Sequence, residues 1–174
     1  MINLLRKRRS IRKYTKKPVD KRSLKLLIEA LLRSPTSRNI RPWEFIIVDD
    51  RELLVKLSKA KEHGSAFLKD AALGIVVCAD GMQSDVWVED CSIASMLVQM
   101  TAQSLGLGSC WIQIRKRRRD EKKTAERHVQ QLLGLPGHIK VESIISIGHP
   151  GEKRKPVAKS ALLYKKISYN RFSK

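Results

Sequence analysis

The pattern of hydrophobic and polar positions along the chain predicts four helices and four strands. In the helical stretches leucine and isoleucine recur every three to four residues, whereas the strand stretches are short and nearly continuously apolar. The predicted helices span residues 20–33, 50–61, 85–105 and 120–133, and the predicted strands span 43–48, 71–78, 108–114 and 141–147. Because helices and strands alternate, we expect one layer of sheet covered by helices, of the α/β or α+β class.

Capping residues support several of these helix ends. Asp20 or Ser23 provides a polar cap for the first helix, and Pro35 stops it, since the residue before a proline avoids the helical region. Gly106 and Gly134 follow the third and fourth helices, where a left-handed residue commonly ends a helix.

The chain after Gly148 has the character of a tail. It contains Gly151, Pro156 and many lysines, with scattered apolar residues such as Leu162 and Leu163. Apolar residues that follow a completed domain indicate packing on something else, and a second subunit is the simplest partner.

Length and composition point to one globular domain. The chain has 174 residues, of which 42% are hydrophobic, so we predict a single domain over residues 1–174. No run of about 18 apolar residues occurs, and we therefore expect no membrane span. The N-terminus turns basic after a few apolar residues, unlike a secretory signal, which predicts a cytoplasmic protein.

The net charge of +19 is the most unusual bulk property. Such a surface attracts anions, including nucleotides, nucleic acid and acidic membranes. The densest cationic run covers residues 115–119, and a solvated loop with a helix start explains it as well as a binding role does. A basic nucleic-acid-binding protein stays open as an alternative, although the chain has few aromatic residues and no nucleic-acid motif.

Cysteine and histidine spacing argues against metal and hydrolytic chemistry. Cys78, Cys91 and Cys110 form no Cys-x-x-Cys pair, and the four histidines have no metal-ligand spacing, so we predict no metal site. No phosphate-binding glycine loop and no serine nucleophile elbow occurs either. These absences favour a bound organic cofactor that supplies the chemistry.

Two short stretches carry candidate binding groups. Arg8, Ser10 and Arg12 are spaced two apart, so in an extended segment all three face the same side, where two guanidiniums and a hydroxyl suit a phosphate. An exposed edge with solvated arginines is the competing interpretation. Further along, Ser37 and Asn39 lie on a polar loop that either borders a ligand or is simply solvated.

Five motifs in order resemble the FMN-dependent nitroreductase family over nearly the whole chain. They are residues 8–14, residues 34–45, Asp90 with Ile93 and Ala94, residues 106–112, and residues 133–136 with 147–150. The resemblance implies an α+β nitroreductase-like fold with a central, mainly antiparallel sheet flanked by helices. It also implies a homodimer with a domain-exchanged C-terminal tail and FMN at the interface.

The same resemblance implies an FMN-dependent NAD(P)H oxidoreductase. Hydride passes by a ping-pong mechanism from NAD(P)H, the co-substrate, through FMN N5 to a nitroaromatic, quinone or similar electrophilic acceptor. No side-chain acid or base is required, so we name no catalytic residue. A non-catalytic flavin-binding or flavin-sensing protein is a further alternative, and the preference for NADH or NADPH stays open.

Cofactor-binding roles follow from the resemblance by position. Arg8, Ser10 and Arg12 are implied to hold the FMN phosphate and ribityl chain, with Arg9 near the pyrimidine and Lys159 at the phosphate. The ring-side residues fall into two groups: Pro35, Thr36, Ser37 and Asn39 from the other subunit, and Trp111, Gln113 and Ile114 behind the isoalloxazine, with backbone amides near N5.

Three positions depart from the family pattern. Ile114 stands where glycine is frequent, Lys159 replaces an arginine, and Arg41 replaces a common glutamine. A lysine offers a point charge instead of a planar fork, so phosphate contact at Lys159 is expected to be less directional.

Overall fold

A four-stranded antiparallel sheet forms the centre of the protein. The computed structural model describes residues 1–172. The strands are β1 (Trp43–Val48), β2 (Leu73–Asp80), β3 (Gly108–Gln113) and β4 (Ile139–Gly148), and their spatial order is β1-β2-β4-β3. Every neighbouring pair is antiparallel. All four predicted strands are confirmed, and β2 is buried along nearly its whole length, as its continuous apolar run predicted.

Helices cover both faces of the sheet, which confirms the predicted α+β class. The five helices are α1 (Ile2–Lys7), α2 (Lys21–Leu32), α3 (Arg51–Leu57), α4 (Trp87–Ser104) and α5 (Ala125–Leu133). On one face, α2 and α4 pack over a cluster that includes Leu27, Val98 and Ile145. On the other face, α3 and α5 pack over a cluster that includes Leu54 and Val129.

Helix ends follow the capping residues of the sequence. The Asp20 carboxylate accepts a hydrogen bond from the Ser23 amide at 2.9 Å, so Asp20 is the cap of α2. Gly106 and Gly134 have φ of +74° and +66° after α4 and α5, as predicted. These left-handed positions suit glycine because it lacks the Cβ that makes them unfavourable.

Three helix predictions were inaccurate. No helix was expected at α1, whereas the structure forms one. The predicted 50–61 helix ends at Leu57, because the chain then makes successive turns. The predicted 120–133 helix begins only at Ala125, because the Asp120 carboxylate accepts from the Lys122 and Lys123 amides and forms a turn there.

The tail from residue 151 onward lies mostly exposed. Over residues 151–172 it contains two short 3-10 turns, at Lys159–Ala161 and Tyr164–Lys166. Leu163 is 61% exposed and Tyr169 is 85% exposed. Within residues 1–172, no helix combines the length and hydrophobicity that crossing a bilayer requires. The predicted domain extends to residue 174, and its last two residues lie outside the described range.

Candidate cofactor site

The N-terminal segment, residues 8–14, crosses the sheet at β3 and β4. Ser10 bridges Ser109 in a parallel arrangement, and the Ile11 amide donates to the Ser109 carbonyl oxygen at 3.0 Å. A Cβ at Gly108 would lie 2.8 Å from Cγ2 of Ile11, closer than side chains tolerate. Glycine at this position therefore lets the segment approach the sheet.

Glu152 holds the same segment from the C-terminal side. Its Oε1 accepts from the Arg12 amide at 2.7 Å and from the Lys13 amide at 3.2 Å. The hydrogen bond from the Arg12 amide is the main reason why the pKa of Glu152 lies below its ordinary value. The Gly151 amide donates to the Lys13 carbonyl oxygen at 2.8 Å. The segment is thus extended and fixed through its main chain, which leaves its cationic side chains available.

Tyr14 anchors the end of the segment. Its hydroxyl donates to the Ile11 carbonyl oxygen at 2.7 Å and lies 2.7 Å from the Ser146 hydroxyl. Burial raises the pKa of Tyr14, so the phenol stays protonated. Sequence reasoning included Tyr14 in a motif but missed its role, which depends on a contact 132 residues away.

Arg8, Ser10 and Arg12 all influence one residue of β3, Cys110. All three act on the thiol of buried Cys110: burial raises the pKa of that thiol, while the Arg12 charge, the Ser10 hydrogen bond and the Arg8 charge lower it. That the three side chains face one side stays a prediction. Arg9, between them, is half-buried.

A groove of about 530 Å³ lies between Arg12 and the outer part of β3. Arg12, Trp111 and Gln113 line one part of it. The Arg12 guanidinium also lies 5.7 Å from the centre of the Phe67 ring, which restricts where its charge is placed. The groove therefore combines an indole wall, an amide and a cation, a suitable set for a flat aromatic ring with a polar edge.

Trp111 and Gln113 are connected by a partly buried chain of hydrogen bonds that ends at Glu142. The indole Nε1 donates to Gln113 Oε1 at 2.8 Å, and Gln113 Nε2 donates to Glu142 Oε1 at 2.9 Å. Glu142 is only 3% exposed, and burial raises its pKa. Sequence reasoning did not select Glu142, because it reads as an ordinary polar position within a strand.

The three predicted ring-side residues, Trp111, Gln113 and Ile114, differ in the direction of their main-chain groups. The Ser109 carbonyl faces away from β4, since it accepts from Ile11. Main-chain groups alternate along a strand, so those of Trp111 and Gln113 also face the open edge. The Ile114 amide instead donates to the Glu142 carbonyl oxygen at 3.1 Å, and its side chain is fully buried. The Ile114 amide is therefore engaged within the sheet and does not face the groove.

A second cavity, of about 640 Å³, brings Arg8 and Lys159 together. It lies between α1 and the tail, and Leu5, Val157 and Tyr164 contribute apolar walls. Two predicted phosphate ligands that are 151 positions apart thus border one space. Helix α1, which the sequence did not predict, forms one wall of this cavity and is therefore part of the candidate cofactor site.

The loop at residues 34–41 lies against α4 and not against the N-terminal segment. The Ser37 amide donates to Asp90 Oδ1 at 2.9 Å, and the Arg41 amide donates to the Thr36 hydroxyl at 3.0 Å. Asn39 Oδ1 accepts from Arg41 Nε at 2.9 Å, whereas Pro35 is exposed. The structure of one chain therefore does not bring this predicted group to the groove.

Backbone strain marks the same loop. Arg38, Asn39 and Arg41 have φ of 50°, 55° and 56°, in the left-handed region that residues with a side chain rarely adopt. An ion pair at 2.8 Å between Arg38 and Asp85 helps to hold this shape. Such strained loops are frequent at ligand sites, because strain persists only where the surroundings enforce it.

Comparison with known proteins identifies the class. The Nitroreductase family pattern matches residues 5–76 and 58–149 of the chain. The chain therefore belongs to the nitroreductase family, which confirms the resemblance drawn from its five motifs.

Individual relatives agree with this membership. An FMN-dependent nitroreductase structure from Clostridium difficile R20291 is 47% identical, covers 99% of this chain and 100% of its own, and has a TM-score of 0.97. A provisionally named NADH dehydrogenase/NAD(P)H nitroreductase of Archaeoglobus fulgidus is 37% identical over 88% of this chain and 87% of its own length. An FMN reductase [NAD(P)H] of Bacillus subtilis is 30% identical over 88% of this chain and 67% of its own length. These names agree with the predicted oxidoreductase class, FMN cofactor and NAD(P)H co-substrate.

Proposed function

We propose that the protein is an FMN-dependent NAD(P)H oxidoreductase that reduces nitroaromatics, quinones or similar electrophiles by a ping-pong mechanism. The observation that carries the proposal is the groove that Arg12 lines together with Trp111 and Gln113, with a second cavity that Arg8 and Lys159 border. Bound FMN supplies a ring that accepts a hydride and passes it on. The protein's own residues position that ring and balance its charge.

The two cavities suit the two ends of a long, flat cofactor. Arg8 and Lys159 border the cavity at α1, where a phosphate receives two positive charges. Arg12 borders the groove at Trp111 and Gln113, where the ring would lie. The Arg12 charge would stabilise negative charge on the reduced ring, and the edge amides of Trp111 and Gln113 supply hydrogen-bond donors. The fit supports FMN as the occupant.

A homodimer with an exchanged tail is part of the proposal. Ile93 on α4 is 42% exposed, and Leu162 in the tail is 47% exposed. Large exposed apolar side chains cost free energy in water, which a second copy would remove. In that dimer, the loop carrying Pro35, Thr36, Ser37 and Asn39 would reach the partner's groove. This assembly would explain why one chain alone does not place the loop there.

Steady-state kinetics test the proposed reaction. We expect NADH or NADPH oxidation that depends on an added nitroaromatic or quinone, with parallel double-reciprocal lines as the acceptor concentration is varied. Intersecting lines would contradict the ping-pong order. A protein that retains FMN but turns over no acceptor would instead be a flavin-binding or flavin-sensing protein.

Localisation in the cytoplasm stays a prediction.

A further inference from the structure

The basic run at residues 115–119 forms an ordered loop directly after β3. Lys116 has a φ of 56°, and the Arg117 amide donates to the Ile114 carbonyl oxygen at 3.1 Å, which closes a turn. The Ala125 amide donates to the Arg117 carbonyl oxygen at 2.9 Å. The loop is thus fixed through its main chain at the end of the strand that lines the groove.

Most cations of this loop already have partners. The Arg115 guanidinium lies 5.7 Å from the centre of the Trp87 ring. Arg118 donates to the carbonyl oxygens of Asp120 and Glu121, and Arg119 lies 3.8 Å from the Asp120 carboxylate. Arg115, Arg118 and Arg119 therefore take part in local structure, and no ligand is needed to explain their positions.

Within residues 1–172, two cations of the run, Lys116 and Arg117, have no such partner, and of the two it is Arg117 that lines the groove. Over residues 1–172 its side chain has no hydrogen bond and no ion pair with a carboxylate, and it lines the groove together with Arg12 and Trp111. Another cation, Lys61, lines the same groove, and the Arg117 charge acts on it. Arg117 therefore brings charge to the groove that the protein does not balance.

Lys61 adds a second unbalanced charge. Partial burial and the nearby Arg117 charge both lower its pKa, so the two cations are close enough to repel each other. The one acidic residue lining the groove, Glu62, lies 3.6 Å from the His63 imidazole. Two repelling cations beside a groove are stabilised when an anion binds between them.

We propose that Lys61 and Arg117 form an anion subsite in the substrate part of the groove, which selects substrates carrying a carboxylate or phosphate. This inference rests on the proposed function, because it places the substrate beside Trp111 and Gln113. The FMN phosphate has its own cations at Arg8 and Lys159 in the other cavity. The anion bound here therefore belongs to the substrate: the carboxylate of an aromatic acceptor or the 2′-phosphate of NADPH.

Substrate pairs that differ only in charge test the subsite. The acceptors are 4-nitrobenzoate and neutral 4-nitrobenzamide, and the donors are NADPH and NADH. For Arg117→Gln and Lys61→Gln, we expect kcat/KM to fall about tenfold for 4-nitrobenzoate or for NADPH, while the value for the counterpart that lacks the carboxylate or the 2′-phosphate changes less than about twofold. A fall with 4-nitrobenzoate identifies an acceptor carboxylate, and a fall with NADPH identifies the donor phosphate. The matched control is Arg22→Gln, an exposed arginine on α2, which should change none of these values.

Direct binding keeps this test separate from the proposed reaction. Isothermal titration of 4-nitrobenzoate and of NADP⁺ into the protein as purified, and into both variants, measures the subsite without turnover. NADP⁺ carries the same 2′-phosphate as NADPH but has no hydride to transfer to FMN. FMN content, measured on each preparation, shows whether a variant has lost the cofactor instead. Absence of FMN and of all turnover would defeat the proposed function alone, whereas unchanged binding and unchanged charge selectivity in both variants would overturn the subsite.

Discussion

The N-terminal segment and the C-terminal tail meet at the proposed phosphate site but are held in different ways. The main chain of the segment, residues 8–14, is hydrogen-bonded to Ser109, to Gly151 and to the Glu152 carboxylate. The part of the tail over residues 153–172 has short turns and exposed apolar side chains, yet it brings Lys159 to the cavity of Arg8. The segment is therefore fixed within a single chain, whereas the exposed side chains of the tail would be buried only in the proposed dimer.

The largest effect should come from filling the space where the segment meets the sheet. In Gly108→Ala, the new Cβ would lie 2.8 Å from Ile11, and overpacking of this kind costs about 1–3 kcal/mol. Thermal unfolding should show the loss. The matched control is Gly137→Ala, where nothing lies within 4 Å, and it should be neutral or slightly stabilising. Equal unfolding temperatures for both variants would mean that the segment is not packed as described.

A charge in the tail should act on assembly and not on the fold of the chain. Leu163→Asp places a carboxylate on a side chain that is 61% exposed. Burying that charge in a dimer interface without a partner would weaken the dimer by about 2 kcal/mol or more. Sedimentation would show more monomer at low concentration. Val55→Asp, on α3, is the control, and a dimer equally weakened by it would contradict the assignment to the tail.

Removing the Tyr14 hydroxyl should lower the free energy of unfolding by a smaller amount. Tyr14→Phe leaves the Ile11 carbonyl oxygen without its donor and the buried Ser146 hydroxyl without one neighbour. We expect a loss of about 1–2 kcal/mol in the free energy of unfolding, measured by chemical denaturation. Tyr164→Phe in the exposed tail should change almost nothing. A comparable loss in both variants would argue against a special role for Tyr14.

The smallest effect concerns Glu152 and depends on pH. The folded protein lowers the pKa of Glu152 below its ordinary value of 4.5, chiefly through the Arg12 amide. Its contribution to stability is therefore present above that ordinary value and is lost as the pH falls through the lowered pKa. Glu152→Gln should be slightly less stable near neutral pH, and the difference should fade on acidification. If the stability difference between the two proteins did not change with pH, the Glu152 side chain would not be accepting these hydrogen bonds as an ionised carboxylate.

The sequence predicted what depends on local pattern. Apolar periodicity located every strand. It did not predict α1, because six residues are too few for a periodic pattern to be visible. The sequence also did not predict that the Ile114 amide points towards Glu142 of β4, because that direction depends on which neighbour β3 pairs with.

Long-range contacts were equally invisible in the sequence. Glu152 binds the Arg12 amide across 140 positions, and only folding brings them together. The helix predicted over residues 120–133 starts late, at Ala125, because of the turn at Asp120. A side chain there binds nearby amides and competes with helix formation, which periodicity alone does not reveal.

An absorption spectrum of the purified protein, with the released chromophore identified by mass, tests the central claim most directly. We predict a flavin band near ~450 nm and FMN at about one per chain. Arg12→Ala should bind added FMN at least about tenfold more weakly, while Arg22→Ala should bind it like the unaltered protein. A colourless protein that also fails to take up added FMN would contradict the account.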